Sequence, residues 1–257
     1  MSAVVLGVFA HPDDAEFLCA GTLIRLAQEH GCPVHIASMT PGDCGSAELP
    51  PDEISAVRRA EAQRAAAVIG GQYHCLEERD LLIFYQERTL VKVVRLLREV
   101  RPEIVFTHCP MDYLLDHEMT SLVVRAACFA APVPNFATDP ELPPLPRIPH
   151  LYYCDPIEGK DIYGRMVPAQ FYVDISRVID LKTQMLACHA SQRQWLLRHH
   201  GVDEYLEAMR RWARQQGERV GVAFAEGFRQ HLGHSYPQDN ILSQLLGSLT
   251  ATELLQY

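Results

Sequence analysis

Residues 3–14 run Ala-Val-Val-Leu-Gly-Val-Phe-Ala-His-Pro-Asp-Asp, and the reading of this stretch decides the fold. Residues 3–10 form a short apolar run that polar residues cut off. That length and composition predict a strand buried on both faces. His11-Pro12-Asp13-Asp14 stands at its carboxyl end, and a helical pattern follows over 15–29. Leu23, Ile24, Leu26 and Ala27 form the inner side of that helix, and Gly31 stops it. A buried strand running through a polar turn into a helix is the opening of a βαβ unit.

The same alternation continues outward from this unit. Strands are expected at 33–39, 72–76 and 103–107, and helices at 52–69 and 87–100. In the last of these, Leu90, Val93, Val94, Leu97 and Val100 fall at helical spacing. The pattern predicts an α/β fold with a mainly parallel sheet and helices on both faces. With the common strand order 3-2-1-4, strands 1 and 4 are neighbours. Seven prolines between 132 and 149 predict an irregular insertion loop or lid. Further strands are expected at 150–156 and 170–176. From 177 to 257 the chain reads as a mostly helical C-terminal region; its last strong helical stretch contains Ala225-Glu226-Gly227-Phe228-Arg229, with Gly217 and Gly221 as interruptions. In the helix near 189, Leu181, Met185 and Trp195 look like core. The whole is expected to be one domain over 1–257, with a core at 1–176.

Composition narrows the function classes. The chain has 257 residues, 48% of them hydrophobic, and a formal net charge of −9. This is enough to bury a full core without covalent staples. The acidic balance argues against nucleic acid or an anionic membrane as partner, since those need clustered Lys and Arg. No segment has the ~18 consecutive apolar residues of a membrane span. The N-terminus lacks the basic region of a signal peptide. The eight cysteines form no CxxC pair and mostly sit in apolar runs, which favours reduced thiols and a cytoplasmic location.

Two polar constellations carry the chemistry. The first is His11-Pro12-Asp13-Asp14 itself. The second is THCPMDYLLDHEMT (107–120), which follows the fourth strand and offers His108, Asp112, Asp116 and His117. In open α/β sheets ligands bind beyond the carboxyl ends of strands, at the switch point between neighbours. Two histidines and one aspartate there would give three metal ligands and leave a position for water, the pattern of a catalytic zinc site. The same donor types also make the facial triad of a non-haem iron oxygenase. There is no Gly-x-Ser-x-Gly elbow and no dinucleotide glycine fingerprint.

AHPDDAEFLCAGTL, VRRAEAQRAAAVIG and DYLLDHEMT together resemble the LmbE/PIG-L family of zinc-dependent N-acetylglucosaminyl de-N-acetylases, over residues 1–130. The resemblance implies a Rossmann-like core and removal of acetyl groups from N-acetylglucosamine-type sugars or their conjugates. It implies one Zn2+ per chain, ligated by His11, Asp14 and His117. Asp13 would be general base and then acid, and Asp116 would orient a neighbouring group. Arg58 would line the substrate site, and His108, Asp112 and His189 are further expected substrate-site residues. Asp155 and Glu158 are expected near the sugar pocket. A homo-oligomer is the expected assembly.

The chain departs from the family pattern at one position. Many relatives carry His where Leu114 stands, and that His helps stabilise the oxyanion. His108, Tyr113 and His189 are the expected substitutes. The departure also motivates the alternative of a carbohydrate-binding protein with impaired catalysis. The pocket walls are expected from loops 41–50, 79–86 and 132–165.

Overall fold

A computed structural model of the chain describes residues 2–138, 142–193 and 204–250. A seven-stranded sheet forms its centre, in the order β3-β2-β1-β4-β5-β7-β6. The strands are β1 (Val5–Phe9), β2 (Val34–Ser38), β3 (Gln72–Cys75), β4 (Ile104–Thr107), β5 (His150–Cys154), β6 (Phe171–Asp174) and β7 (Ala225–Gln230). The first five pair in parallel, and β7 is antiparallel to both β5 and β6. The expected order 3-2-1-4 is present, and β1 and β4 are direct neighbours.

Eight helices can be numbered among the described residues: α1 (Asp14–Leu18), α2 (Ala20–His30), α3 (Pro51–Ala67), α4 (Glu87–Val100), α5 (Leu115–Ala130), α6 (Ile179–Ala187), α7 (Glu204–Glu218) and α8 (Ile241–Leu246). Successive side chains on a strand point to opposite faces, and β1 divides its residues accordingly. Val5 and Phe9 join the core under α2, α6 and α7. Leu6 and Val8 join the core under α4 and α5. Both faces of the sheet are therefore covered, as a parallel sheet requires. All eight cysteines are free, and five of them are buried. No described helix is long and apolar enough to cross a membrane.

The structure corrects the sequence reading in three places. Residues 225–230 are not helical; they form β7, inserted between β5 and β6. Five of its six residues are buried, so β7 lacks the alternation that marks a half-exposed strand. The helix expected over 15–29 is broken at Cys19 into α1 and α2. The Pro-rich loop, read as an insertion loop or lid, does not lie over the loops that follow β1 and β4. It packs on the α4–α5 side, where Arg98 donates to the carbonyls of Ala131 and Val133, and Leu145 is buried. Met185 is core as expected, Leu181 packs at its edge, and Trp195 lies outside the described residues.

The first two corrections share a cause. Glu226 of β7 points at the start of α2 and accepts hydrogen bonds from the backbone N–H of Gly21 and Thr22 and from the Thr22 hydroxyl. These are amides that a new helix start leaves without partners. Lys182 of α6 completes the group, donating to Glu226 at 2.6 Å and to the Phe17 carbonyl at 2.9 Å. A Cβ on Gly21 would lie 2.7 Å from Ile175 Cγ2 and 2.9 Å from Glu226 Oε1, so only glycine admits this approach. Removing one partner of a buried ion pair strands the other. Glu226→Ala is expected to lower stability by about 3–5 kcal/mol, seen as a lower urea midpoint. An unchanged midpoint would show that the clamp holds nothing.

Candidate metal centre and active-site cavity

The loops after β1 and β4 meet because their strands are adjacent and end together. The backbone N–H of Ala10 donates to His108 Nε2 at 2.9 Å, tying the two strand ends. The same Nε2 lies 3.1 Å from Asp14 Oδ2, so it stands between the Ala10 N–H and that carboxylate. Burial, and then His117, push the His108 pKa down to about 4, so the ring is neutral. His108 stacks on His117 with ring centroids 3.9 Å apart.

Asp14 sits between the two other histidines. Its Oδ2 is 3.3 Å from His11 Nδ1, and its Oδ1 is 3.5 Å from His117 Nε2. A tetrahedral ion with bonds of ~2.0–2.1 Å separates its ligands by roughly 3.3–3.4 Å. On its far side each ring meets another carboxylate: His11 Nε2 faces Asp116 Oδ2 at 3.2 Å, and His117 Nδ1 faces Asp112 Oδ1 at 2.9 Å. The outer N–H of each imidazole thus has an acceptor, and its inner nitrogen can present a lone pair toward Asp14. A carboxylate behind a ligating histidine is the usual way such a ring is oriented. Asp116 is itself held by the Leu81 N–H at 2.7 Å.

The electrostatics suit a cation. Burial opposes charge on His11, but Asp14, Asp116 and Asp80 outweigh it and raise its pKa to about 10. Burial opposes ionisation of Asp14, yet His117, His108 and His11 hold it well below the usual carboxylate range. The negative field that keeps a proton on His11 is one a divalent ion can occupy instead. His11, Asp14 and His117 therefore have the donor types and spacing to hold a metal. Two other donor groupings, His108–Asp112–His117 and Asp43–Cys44–Asp80, are taken up by internal hydrogen bonds such as Ala10 to His108 and Cys44 N–H to Asp80.

Asp13 turns the other way. Its Oδ1 accepts from Arg58 Nη2 at 3.0 Å, and its Oδ2 accepts from the Tyr205 hydroxyl. Burial opposes its charge, but Arg58 foremost among its partners lowers its pKa. Arg58 reaches this place across two glycines. A Cβ on Gly42, whose φ is +79°, would lie 2.3 Å from Arg58 Nη1, and one on Gly45 would lie 2.6 Å from the same atom.

A cavity of about 560 Å³ opens over these groups. His11, Asp13, Asp14 and His117 line it, as does Arg58. Its walls come from Cys44 and Gly45, Asp80 and Leu81, Tyr113, and Ile157. The expected loops 41–50 and 79–86 do contribute, but among the described residues of 132–165 only Ile157 does. Sequence reasoning missed the wall from α7, formed by Glu204, Tyr205 and Ala208. That wall is brought in by packing, and nothing local in the helix signals it.

Three residues expected at the substrate do not face the cavity. His108 and Asp112 are buried behind Asp14 and His117. His189 is wholly buried, with Nε2 3.5 Å from Glu16 Oε2. Its neighbour Gln192 does line the cavity and donates to the Gly45 carbonyl at 2.9 Å. Asp155 is also buried, in a pair with Arg229 at 2.8 Å, and Glu158 is exposed beside Lys160.

The comparisons with known proteins cover the part of the chain that carries these loops. The family model of PIG-L, GlcNAc-PI de-N-acetylase, matches residues 6–128, which contain His11, Asp13, Asp14, Arg58, Asp116 and His117. The chain is 28% identical over 234 residues to the diacetylchitobiose deacetylase of Thermococcus kodakarensis, covering 88% of this chain and 82% of that one. It is 25% identical over 195 residues to the 4-oxalmesaconate hydratase of Pseudomonas putida, covering 73% of each. The solved N,N'-diacetylchitobiose deacetylase from Pyrococcus horikoshii superposes with a TM-score of 0.76 at 25% identity, covering 93% of this chain and 88% of that one. With its sheet order and its paired strand-end loops, these matches place residues 6–128 of the chain in the PIG-L (LmbE) family.

Proposed function

We propose that this protein is a zinc-dependent hydrolase that removes the acetyl group from an N-acetylglucosamine-type sugar or conjugate. One observation carries the reading: Asp13 lies beside a two-histidine, one-aspartate donor set at the base of a cavity large enough for a sugar. His11, Asp14 and His117 would hold the zinc, and Asp116 and Asp112 would orient the two rings. Bound there, zinc would lower the pKa of a water to about 7 and polarise the acetamide carbonyl.

The chain's own residues supply the rest. Asp13 takes a proton from the water as it attacks the carbonyl, and returns it to the nitrogen as the C–N bond breaks. Arg58 and Tyr205 each hold one of its oxygens, and each oxygen keeps a second lone pair for this work. The oxyanion needs a donor, because Leu114 has none. Of the three residues considered for it, Tyr113 alone lines the cavity. Its ring stands edge-on to His117, with centroids 5.5 Å apart. Burial first, then Asp14, Asp112 and Asp13, raise its pKa, so the hydroxyl keeps its proton and can donate.

Acetate release from N-acetylglucosamine, its oligomers and its conjugates tests the reading. No acetate from any of them, with oxygen consumed or water added to an unsaturated acid instead, would overturn it.

Three variants probe the parts. Asp112→Ala is expected to weaken zinc binding by about 10–100-fold in a competitive chelator titration; unchanged affinity would detach Asp112 from the metal site. Asp13→Asn is expected to retain zinc and lose at least ~10²-fold in kcat. A zinc-loaded Asp13→Asn protein with full turnover would remove Asp13 from the reaction. Tyr113→Phe is expected to lower kcat by about 10²–10³-fold with little change in KM. A loss confined to KM would make Tyr113 a binding residue only.

A further inference from the structure

A second cleft of about 410 Å³ adjoins the active-site cavity and shares Phe17, Ile157 and Ala208 with it as a common wall. One side of this cleft is a face of α7. Arg211, Trp212 and Gln215 follow Ala208 by three, four and seven residues along the helix, so they share that face, and Arg219 adjoins it from the turn just past the helix end. The other side is the turn at 157–159 with Lys160 and Met166.

The cleft is built on a fixed floor. Gly159 has φ +65°, and a Cβ there would lie 2.5 Å from Trp212 Cη2, so the turn's backbone sits directly against the indole. Arg219 lies over the same ring, 5.9 Å from its centroid. The cleft is also basic within an acidic chain. Among the described residues lining it, Lys160, Arg211 and Arg219 meet a single carboxylate, Glu158, which pairs with Lys160 at 3.2 Å. Arg211 is exposed and has no ion-pair partner among the described residues. None of these groups has work in the chemistry at Asp13.

We propose that this cleft is a subsite for an anionic group, a carboxylate or phosphate, carried by whatever is conjugated to the N-acetylated sugar. The proposal rests on the deacetylase reading for its sugar half. The shared wall lets one molecule occupy both spaces, with its acetamide at Asp13 and its anion against Arg211 and Arg219. Trp212 offers a flat apolar surface to the portion in between. The natural substrate is then an acidic conjugate of the amino sugar, in preference to a neutral oligosaccharide.

A matched pair of probes tests this: the 2-carboxyethyl glycoside of N-acetylglucosamine, as both anomers, and its methyl ester, which has nearly the same shape without the charge. N-acetylglucosamine 1-phosphate serves as the phosphate arm, and its rank against the carboxylate tells which anion the cleft takes. The zinc-loaded wild type is expected to favour acid over ester by at least tenfold in kcat/KM, mostly through KM. The ratio should fall toward one in the Arg211→Ala/Arg219→Ala protein and recover in part in the double lysine variant. General damage to the fold lowers both rates and leaves the ratio in place. Equal rates for acid and ester in the wild type, or a ratio that survives the double alanine variant, would overturn the subsite. If neither probe releases acetate, the deacetylase reading rests on the wider acetate-release screen and not on these two compounds. Calorimetry then decides the subsite: tighter binding of acid than ester, lost in the double alanine variant, upholds it, and equal binding overturns it.

Discussion

The hydrogen bond from the Ala10 amide to His108 Nε2 joins the ends of two parallel strands, and the arrangement of the site depends on that junction. Strands β1 and β4 are adjacent and point the same way, so their carboxyl ends open on one side of the sheet. His108 fills the space between them as a neutral, buried ring. Asp14 leans against it on one side and His117 stacks on it from the other. Burial, and then His117, push its pKa down to about 4, so the ring adds no positive charge there.

Around that junction the protein sets acids and bases in opposition, under burial that makes each unpaired charge costly. Asp14 faces His11 and His117, and each ring is backed by another aspartate. Asp13, its neighbour in sequence, is bound instead to Arg58 and Tyr205. Adjacent carboxylates on one turn thus face different environments, which is how two identical side chains take different roles. Glu16 meets His189, and Glu61 accepts from both the backbone and the hydroxyl of Ser191. The helical turn at 190–193 is thereby anchored to the same group. The C-terminal region holds the site from below as well, through Glu226 and Lys182 at the break between α1 and α2.

Much of this was legible in the residues. The apolar run over 3–10, the helix periodicities and the glycine stops determine the βα units, because backbone preference and burial act over a few residues. Placing HPDD at the end of β1 and DH at the helix start beyond β4 then follows from the strand and helix assignments, and the common strand order brings them together. The motif residues carried the family resemblance. Glu226 was not legible. A carboxylate flanked by Ala and Gly in a stretch with no alternation gives no local sign that it caps a helix 204 residues away. The burial of Asp112 and His189 was hidden for the same reason, since sequence shows a polar residue and not what stands in front of it.

The sequence by itself determined the α/β class, the alternation of strands and helices, and the chemical types available in the loops beyond two strands. Those properties rest on short-range forces that the local pattern encodes. Tertiary structure alone decided which polar residues face the cavity and which stand behind them. It also decided that β7 enters the sheet from the C-terminal region, and that α7 closes one wall and carries a basic cleft beside it. These features come from contacts between segments far apart in the chain, where the outcome is set by which buried charges find partners once the sheet has formed.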